Sequence, residues 1–335
     1  MVKYVRFFLA AGLFCASLSL HAQQLSKADH KRLAAIEDTL KQLGRTMIFD
    51  EDESVRFKAD NNFIQTLVRA LRTPNSFYYP FDSLETVSRI YAPDTTFRII
   101  TWQYQKDEDY FRQRGAIQMR TTDGSLKLFP LIDMSENTEN PTDSVRSNLN
   151  WIGAIYYKMV MKTQGAKKYY TLLGLDDNNG TTTKKWMDVL YFDQAGQPQF
   201  GMNIFQYKPD SIKPAQPAYR FCLEYKKDAK ARLNYDPELD MVMFDHLVSE
   251  TKETSKKETL VPDGDYEGFQ WRNGKWVLIS KVYNQKADMR GVDPLLGNAP
   301  TEDPLRDKDG KINQKKLEEQ NRKNMERAKK NPPDQ

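Results

Sequence analysis

The strongest constraint on the fold is a two-residue alternation of apolar and polar side chains that begins at Phe97. Runs of residues with high strand preference follow, separated by Gly, Asp, Asn or Pro roughly every eight to twelve positions, as in an antiparallel meander. No helical pattern falls between the runs, which excludes a doubly wound parallel sheet. The sequence therefore predicts a mainly β fold of about twelve strands, forming a sandwich or a curved sheet. A propeller is the alternative, although no blade motif repeats.

Two Asn-Gly turns predict strand pairing within the β region. Asn273-Gly274 suits a two-residue type I′ loop, because both residues tolerate a positive φ. Such a loop pairs Trp271 with Trp276 on one face of a hairpin. A second hairpin is predicted to turn at Asn179-Gly180, between strands at 169–177 and 184–193.

A third turn, Asp123-Gly124, predicts a hairpin whose register can be written out in advance. The expected pairs are Thr121 with Leu126, Met119 with Leu128, and Ile117 with Pro130. One face of this hairpin is then apolar and the other mostly polar, as a half-buried sheet requires.

The segment before the β region, residues 23–95, shows helical spacing instead. Two stripes of apolar residues predict two helices, the first ending near Gly44 and the second capped at its start by Asp60 or Asn61. A third, short helix is expected at 83–89, where Asp82 and Glu85 suggest a capping box. The stripes consist of Leu33, Ile36, Leu40 and Leu43, then Phe63, Ile64, Leu67, Val68 and Leu71. We therefore expect a small helical segment, an antiparallel β domain at 96–290, and a charged tail at 291–335, disordered or helical.

The first 22 residues have the pattern of a secretory signal peptide. Lys3 and Arg6 precede an uncharged apolar run, Phe7–Leu20, and Ala22 is a small residue at the expected cut. Lipid attachment at Cys15 is the alternative. We expect cleavage, export to the periplasm or outer surface of a Gram-negative bacterium, and no transmembrane segment in the mature chain.

Charge and cysteine content narrow the class of protein. The chain has 50 basic and 46 acidic residues, a net charge of +4, and residues 305–335 hold ten basic and six acidic ones, a local +4. The main body is thus close to neutral, which argues against nucleic-acid binding. Outside the signal segment Cys222 is the single cysteine. An intramolecular disulfide is therefore excluded, and a buried structural thiol is expected.

Metal and nucleophile motifs do not assemble. Of three histidines, only His246 lies in the β region, and in a strand its neighbour Asp245 points to the opposite face, which disfavours a catalytic dyad. Clusters of Asp, Asn and Gly around Gly180 and Gly310 were compared with the calcium-binding loop of an EF-hand. In both, leucine occupies the first ligand position, so we interpret both clusters as turns. Weak calcium binding around Gly310 is the alternative. The sequence predicts no metal site and no cofactor.

Two groups of residues remain as candidates for function. Paired carboxylates in or near strands are the residues a glycan hydrolase needs, and exposed aromatic side chains can stack on sugars or anchor a protein. The carboxylates are Asp176, Asp177, Asp188, Asp193, Glu224, Asp245, Asp265 and Glu267. The predicted ligand or partner surface consists of Trp271, Trp276, Tyr156, Tyr170, Asp245 and His246. In each adjacent tyrosine pair, 156–157 and 169–170, we expect one ring in the core and one outside.

Three segments carry a resemblance to a known family: 169–180 (YYTLLGLDDNNG), 244–248 (FDHLV) and 266–276 (YEGFQWRNGKW). Together they resemble a family of uncharacterised exported proteins of the Bacteroidetes, over roughly residues 63–282. The resemblance implies export but no activity. We expect a non-catalytic protein that binds a cell-envelope protein or glycan. The alternatives are a secreted glycan hydrolase with paired carboxylates and a carbohydrate-binding module.

Overall fold

The computed structural model describes residues 25–107 and 109–283. The predicted signal peptide and the predicted charged tail lie outside the described residues. Two helices come first, α1 (Lys27–Phe49) and α2 (Glu53–Leu71), and neither is long and apolar enough to cross a membrane, nor is any other helix in the described residues.

Fifteen strands are present in the described part of the chain. They are β1 (Val87–Tyr91), β2 (Phe97–Gln105), β3 (Phe111–Met119), β4 (Lys127–Ile132), β5 (Arg146–Ser147), β6 (Ile155–Gln164), β7 (Lys167–Asp176), β8 (Thr182–Phe192), β9 (Pro198–Phe200), β10 (Phe205–Gln206), β11 (Phe221–Lys226), β12 (Leu233–Asp236), β13 (Met241–Ser249), β14 (Leu260–Arg272) and β15 (Lys275–Tyr283).

These strands form three sheets. The first sheet has the order β1-β2-β3-β4, the central sheet β5-β9-β8-β7-β6 with β11 also paired to β8, and the third sheet β10-β15-β14-β13-β12. Among the described strands, β10 and β15 pair in parallel and every other pairing is antiparallel. The predicted mainly β, antiparallel fold with helices at the start is confirmed.

Three apolar clusters stack these elements in four layers. Phe63 of α2 packs with Trp102 between the helices and the first sheet. Side chains such as Leu172 fill the space between the first and central sheets, and Met187 belongs to the cluster between the central and third sheets. Neighbouring residues of a strand point to opposite faces. The central sheet is therefore covered on both faces, as in a sandwich with one extra sheet.

The hairpin at Asn273-Gly274 has the predicted register. Trp271 lies opposite Trp276, their ring centroids are 5.2 Å apart, and both turn residues have a positive φ. The turn between β7 and β8 contains Asn179-Gly180, as predicted, but it spans five residues, 177–181, and its positive φ is at Asn178. These turns succeed as predictions because their signal is local.

The predicted register at Asp123-Gly124 is wrong by one residue. Ile117 lies opposite Phe129, and Met119 lies opposite Lys127. The loop is longer than two residues, since the Asp123 carboxylate accepts from the backbone N–H and hydroxyl of Ser125. Strand β3 is covered by the helices on one face and by the central sheet on the other. A one-residue slip therefore exposes no apolar face, and alternation cannot fix the register.

Both predicted helix ends near the N-terminus are also wrong. Helix α1 continues past Gly44 to Phe49, because Gly44 serves close packing: a Cβ there would lie 2.6 Å from the Thr86 hydroxyl. Helix α2 begins at Glu53, where the Asp52 carboxylate accepts from the backbone N–H of Ser54 at 2.7 Å. The predicted cap therefore lies inside the helix.

The short helix predicted at 83–89 is replaced by β1. The Glu37 carboxylate accepts from the backbone N–H of Ser83 at 2.7 Å, so the expected capping box does not form there. Val87 then pairs with Trp102 of β2. The first sheet thus begins within the segment predicted to be helical.

Asp60 links α2 to the first sheet. Its carboxylate is fully buried and accepts from the indole N–H of Trp102 at 2.9 Å and from Nε of Arg114 at 3.1 Å. Losing one member of a buried polar network leaves its partners unsatisfied.

We expect Asp60→Ala to lower the free energy of unfolding by about 3 kcal/mol, since the partly buried Arg114 guanidinium and the buried Trp102 indole N–H lose their acceptor. Asp38→Ala, on the exposed face of α1, is the control and should change it by less than about 0.5 kcal/mol. Urea denaturation measures both. Equal stability of the two variants would contradict the role given to Asp60.

Candidate functional site

A cavity of about 480 Å³ lies at the end of the central sheet where β7 turns into β8. Its floor is formed by β7, β8 and β11, and its walls by the loops at 135–142 and 212–214. We call it the polar cleft, because ammonium and carboxyl groups from seven residues line it: Glu136, Glu139, Asp176, Lys184, Lys213, Glu224 and Lys257.

Three charged residues form one row across the floor. Lys184 of β8 lies opposite Asp176 of β7 on one side and opposite Glu224 of β11 on the other. Directly paired residues share a face of a sheet, and neighbouring strands are about 4.8 Å apart. The two carboxyl groups therefore stand about two strand spacings, roughly 10 Å, apart at the backbone, with an ammonium group between them.

Asn178 holds this row together from the turn after β7. Its backbone N–H donates to Asp176 at 2.8 Å, and its side-chain oxygen accepts from Lys184 Nζ at 2.9 Å. Its side-chain amide donates to Glu224 at 3.3 Å. Asn178 has a φ of 53°, a left-handed conformation that asparagine tolerates better than most residues. One turn residue thus contacts all three charged groups.

The Asp176 carboxyl group is almost completely buried. Its Oδ1 accepts from the Gln113 side chain at 2.6 Å. Burial is the main cause that raises the pKa of Asp176 from 3.8 to about 6, and the nearby Asp133 carboxylate adds to the rise. Lys184 and the hydrogen bonds from Asn178 and Gln113 act in the opposite direction. The group can therefore change its protonation state slightly below neutral pH.

The next row of the floor is less polar. Trp186 of β8 lies between Gly174 of β7 and Cys222 of β11. The indole N–H of Trp186 is buried and donates to no acceptor in the described part of the chain. A buried donor without an acceptor costs roughly 1–3 kcal/mol. Burial raises the pKa of the Cys222 thiol well above its usual value, so it is not a thiolate at neutral pH.

One wall of the polar cleft is anchored by Asp133. Its carboxylate is buried and accepts from the backbone N–H groups of Gln113, Ser135 and Gly153 at 2.9–3.2 Å. A Cβ on Gly153 would lie 2.7 Å from the Asp133 carboxyl carbon, so only glycine fits this approach. These bonds fix the start of the loop that carries Glu136 and Glu139.

Arg220 anchors the other end of the same wall. Its guanidinium is fully buried, pairs with Asp188 at 3.3 Å, and donates to the backbone oxygen of Ser144 at 3.1 Å. The pair lies one row further into the sheet than Trp186, since Asp188 follows it by two residues on β8. A charge pair under the cleft thus supports its wall.

The opposite wall is held by two lysines. Lys213 Nζ lies 2.7 Å from Asp210 and 2.9 Å from Glu267, and its side chain is largely buried. Lys257 Nζ donates to the backbone oxygens of Ser211 and Ile212 at 3.3 Å. Both walls are therefore fixed by hydrogen bonds to buried or backbone groups.

The aromatic residues predicted as a ligand surface are mostly buried. Trp276 is fully buried, and its indole N–H donates to the Thr171 hydroxyl at 2.9 Å. Trp271 is partly buried against it. Tyr156 is also fully buried. The expected exposed aromatic strip is therefore not formed, because the hairpin and the central sheet pack on each other.

The tyrosine pairs behave differently from each other. Tyr156 is buried and Tyr157 is exposed, as predicted, but both Tyr169 and Tyr170 are buried. Strand β7 is covered on both faces, so neither side of it is open. The Tyr170 hydroxyl donates to the Asp94 carboxylate at 2.8 Å.

The pairing of β13 with β14 shifts register between Asp245 and Leu247, so the alternation that predicted opposite faces for Asp245 and His246 is interrupted there. Asp245 is buried and accepts from the backbone N–H of Arg232 at 2.7 Å. Burial raises the pKa of Asp245. His246 Nδ1 instead lies 2.9 Å from the Asp263 carboxylate in an exposed pair. The structure brings neither residue into the polar cleft.

Sequence reasoning identified Asp176 and Glu224 as carboxylates but did not pair them, and it missed Lys184, Asn178 and Trp186. A two-residue turn at Asn179-Gly180 would place Thr183 opposite Asp176, and the five-residue loop at 177–181 places Lys184 there instead, so the turn signal alone does not give this pair. Within the described ranges, no three His, Cys, Asp or Glu side chains cluster closely enough to hold a metal ion.

We expect Asp176→Asn to stabilise the protein at neutral pH by about 1–3 kcal/mol, since it removes a buried charge and keeps the acceptor oxygen. The folded-state pKa of about 6 exceeds 3.8. The stability that Asp176 contributes is therefore complete below pH 3.8 and is lost as the pH rises through about 6. Urea denaturation between pH 3.8 and about 6 should show a free energy of unfolding that falls with rising pH for the wild type but not, through this group, for the variant.

The control is Asp228→Asn, which changes an exposed carboxylate and should leave the pH profile of the wild type intact. A variant Asp176→Asn that is less stable than this control at neutral pH would show that the Asp176 charge stabilises the fold.

Comparison with protein-family models, curated protein sequences and solved structures finds no match to this chain.

Proposed function

We propose that this protein is an exported, non-catalytic binding protein of the Gram-negative cell envelope, and that a glycan component binds in the polar cleft. The observation that carries the proposal is the row of Asp176, Lys184 and Glu224 on the cleft floor. The N-terminal signal pattern and the resemblance to exported Bacteroidetes proteins support the compartment.

The chemistry of the floor fits a ligand rich in hydroxyl groups. A sugar hydroxyl both donates and accepts a hydrogen bond, and the row offers an acceptor, a donor and a second acceptor in sequence. Tyr110 and Trp186 add aromatic surface to the lining. A volume of about 480 Å³ lies within the range of small-ligand pockets, roughly 300–1,000 Å³. A concave site of this size suits a short glycan better than a flat protein surface.

Glycan hydrolysis is the second candidate, and the raised pKa of Asp176 favours it. A carboxyl group with a pKa of about 6 can act as a general acid, and Glu224 is the second carboxylate in the cleft. Against this, Lys184 stands between the two groups, and both carboxylates rise from the same sheet face instead of flanking a bond. We therefore place binding first.

We expect saturable binding of a short neutral oligosaccharide, tested by isothermal titration calorimetry with the N-acetylglucosamine trimer, cellotriose and maltotriose. Lys184→Gln removes the central donor of the row and should weaken the binding roughly tenfold. Lys31→Gln, on the exposed face of α1, is the matched control and should leave it unchanged. If none of the three sugars binds, or if both variants bind like the wild type, the proposal is wrong.

We expect no release of reducing ends when the protein is incubated with the oligosaccharide that it binds. Hydrolysis that falls as the pH rises through about 6 and disappears in Asp176→Asn would instead establish the second candidate. Hydrolysis that is unchanged in Asp176→Asn would point to a contaminating enzyme. Protein that binds the sugar without hydrolysing it would support the proposal of a binding protein.

A further inference from the structure

A second cavity of about 390 Å³ lies on the opposite face of the same three strands. Leu175, Lys185 and Tyr225 line it, and each is the chain neighbour of a residue in the charged row of the polar cleft. Neighbours in a strand point to opposite faces. The two cavities are therefore back to back at the same end of the central sheet. We call the second one the lysine cavity, lined by Tyr157, Asp177, Lys185, Tyr225, Lys227 and Lys230.

The lysine cavity carries a local excess of positive charge. Three ammonium groups and one carboxylate, that of Asp177, give its lining a charge of +2 (three minus one). The sequence of the main body, by contrast, is close to neutral. Lys227 is held in place, because its Nζ donates to the backbone oxygen of Asp177 at 2.6 Å and lies 3.7 Å from its carboxylate.

The other two lysines are not held in this way. Neither Lys185 nor Lys230 forms an ion pair with a carboxylate in the described residues. Lys185 is half-buried, and its Nζ lies 5.7 Å from the centre of the Tyr157 ring. Burial lowers the pKa of Lys185, although Asp245 acts in the opposite direction and Arg232 in the same one. An anion bound beside it would restore the stability of the charged form.

We propose that the lysine cavity binds a phosphate or sulfate group carried on a small molecule such as a sugar. A phosphate monoester has a charge of about −1.5 to −2 at neutral pH, which matches the lining charge. The cavity is also much larger than one oxyanion, since a water molecule takes up about 30 Å³. The rings of Tyr157 and Tyr225 supply a wall for the rest of the molecule.

Isothermal titration calorimetry at low ionic strength, with glucose 6-phosphate, inorganic phosphate and glucuronate as probes, tests this proposal on the full chain. We expect glucose 6-phosphate and phosphate to bind, and glucuronate, with a single charge, to bind more weakly. Lys185→Gln should weaken glucose 6-phosphate binding roughly tenfold, because it removes one charged hydrogen-bond donor. Lys230→Gln, at an exposed position where folding is not at risk, should weaken it several-fold.

The matched control is Lys31→Gln, which removes an ammonium group on the exposed face of α1 and outside both cavity linings. It should leave the binding of phosphate and of glucose 6-phosphate unchanged. Inorganic phosphate carries no sugar ring, so its binding distinguishes failure of this proposal from failure of the proposed glycan binding. Loss of binding in Lys31→Gln, unchanged binding in Lys185→Gln, or no binding of any phosphate probe would each overturn the proposal. Binding to phosphatidylglycerol vesicles without binding to glucose 6-phosphate would also overturn it, because the anion would then be a lipid headgroup.

Discussion

The structure depends on one constraint, the coverage of the central sheet on both faces. The first sheet packs on one side of it and the third sheet on the other. Strands β7 and β8 therefore carry apolar residues at successive positions, and even adjacent tyrosines of β7 are both buried. An exposed aromatic strip cannot form on such a sheet. Polar side chains in the middle of its strands, such as Asp188 and Thr171, are paired inside the protein, and the two cavities lie at one end of its strands.

The two proposed sites follow from this arrangement. At the end of the central sheet, alternation along three adjacent strands sends carboxyl and ammonium groups to one face and mainly lysines and tyrosines to the other. The Asp176 carboxyl group is unfavourable for stability when it is ionised, and Trp186 keeps a buried N–H without an acceptor in the described chain. Residues that weaken a fold in this way are common at binding sites. Hydrogen bonds to the Asp133 carboxylate and from the Arg220 guanidinium hold the surrounding wall in place.

The sequence predicted those features of the fold that depend on residues close together in the chain. The strand period predicted the fold class, and Asn273-Gly274 predicted the pairing of two tryptophans. The sequence did not predict the contacts between layers. Asp60 has the pattern of a helix cap, but it is the buried partner of Trp102. Strand β3 is covered on both faces, so alternation does not fix its register with β4. The charged row needs β11 beside β8, where Lys184 lies opposite Glu224, a residue 40 positions later in the chain. No local pattern contains that contact.

The most direct test of the polar cleft as a ligand site is the ¹⁵N–¹H spectrum of the five tryptophan indoles during titration with the sugars. The indole N–H groups of Trp102, Trp151 and Trp276 donate to acceptors inside the protein. Trp186 has no such acceptor in the described chain. We predict that the Trp186 signal, assigned with Trp186→Phe, shifts on binding while those three stay in place. A bound sugar that leaves the Trp186 signal unmoved would contradict the account.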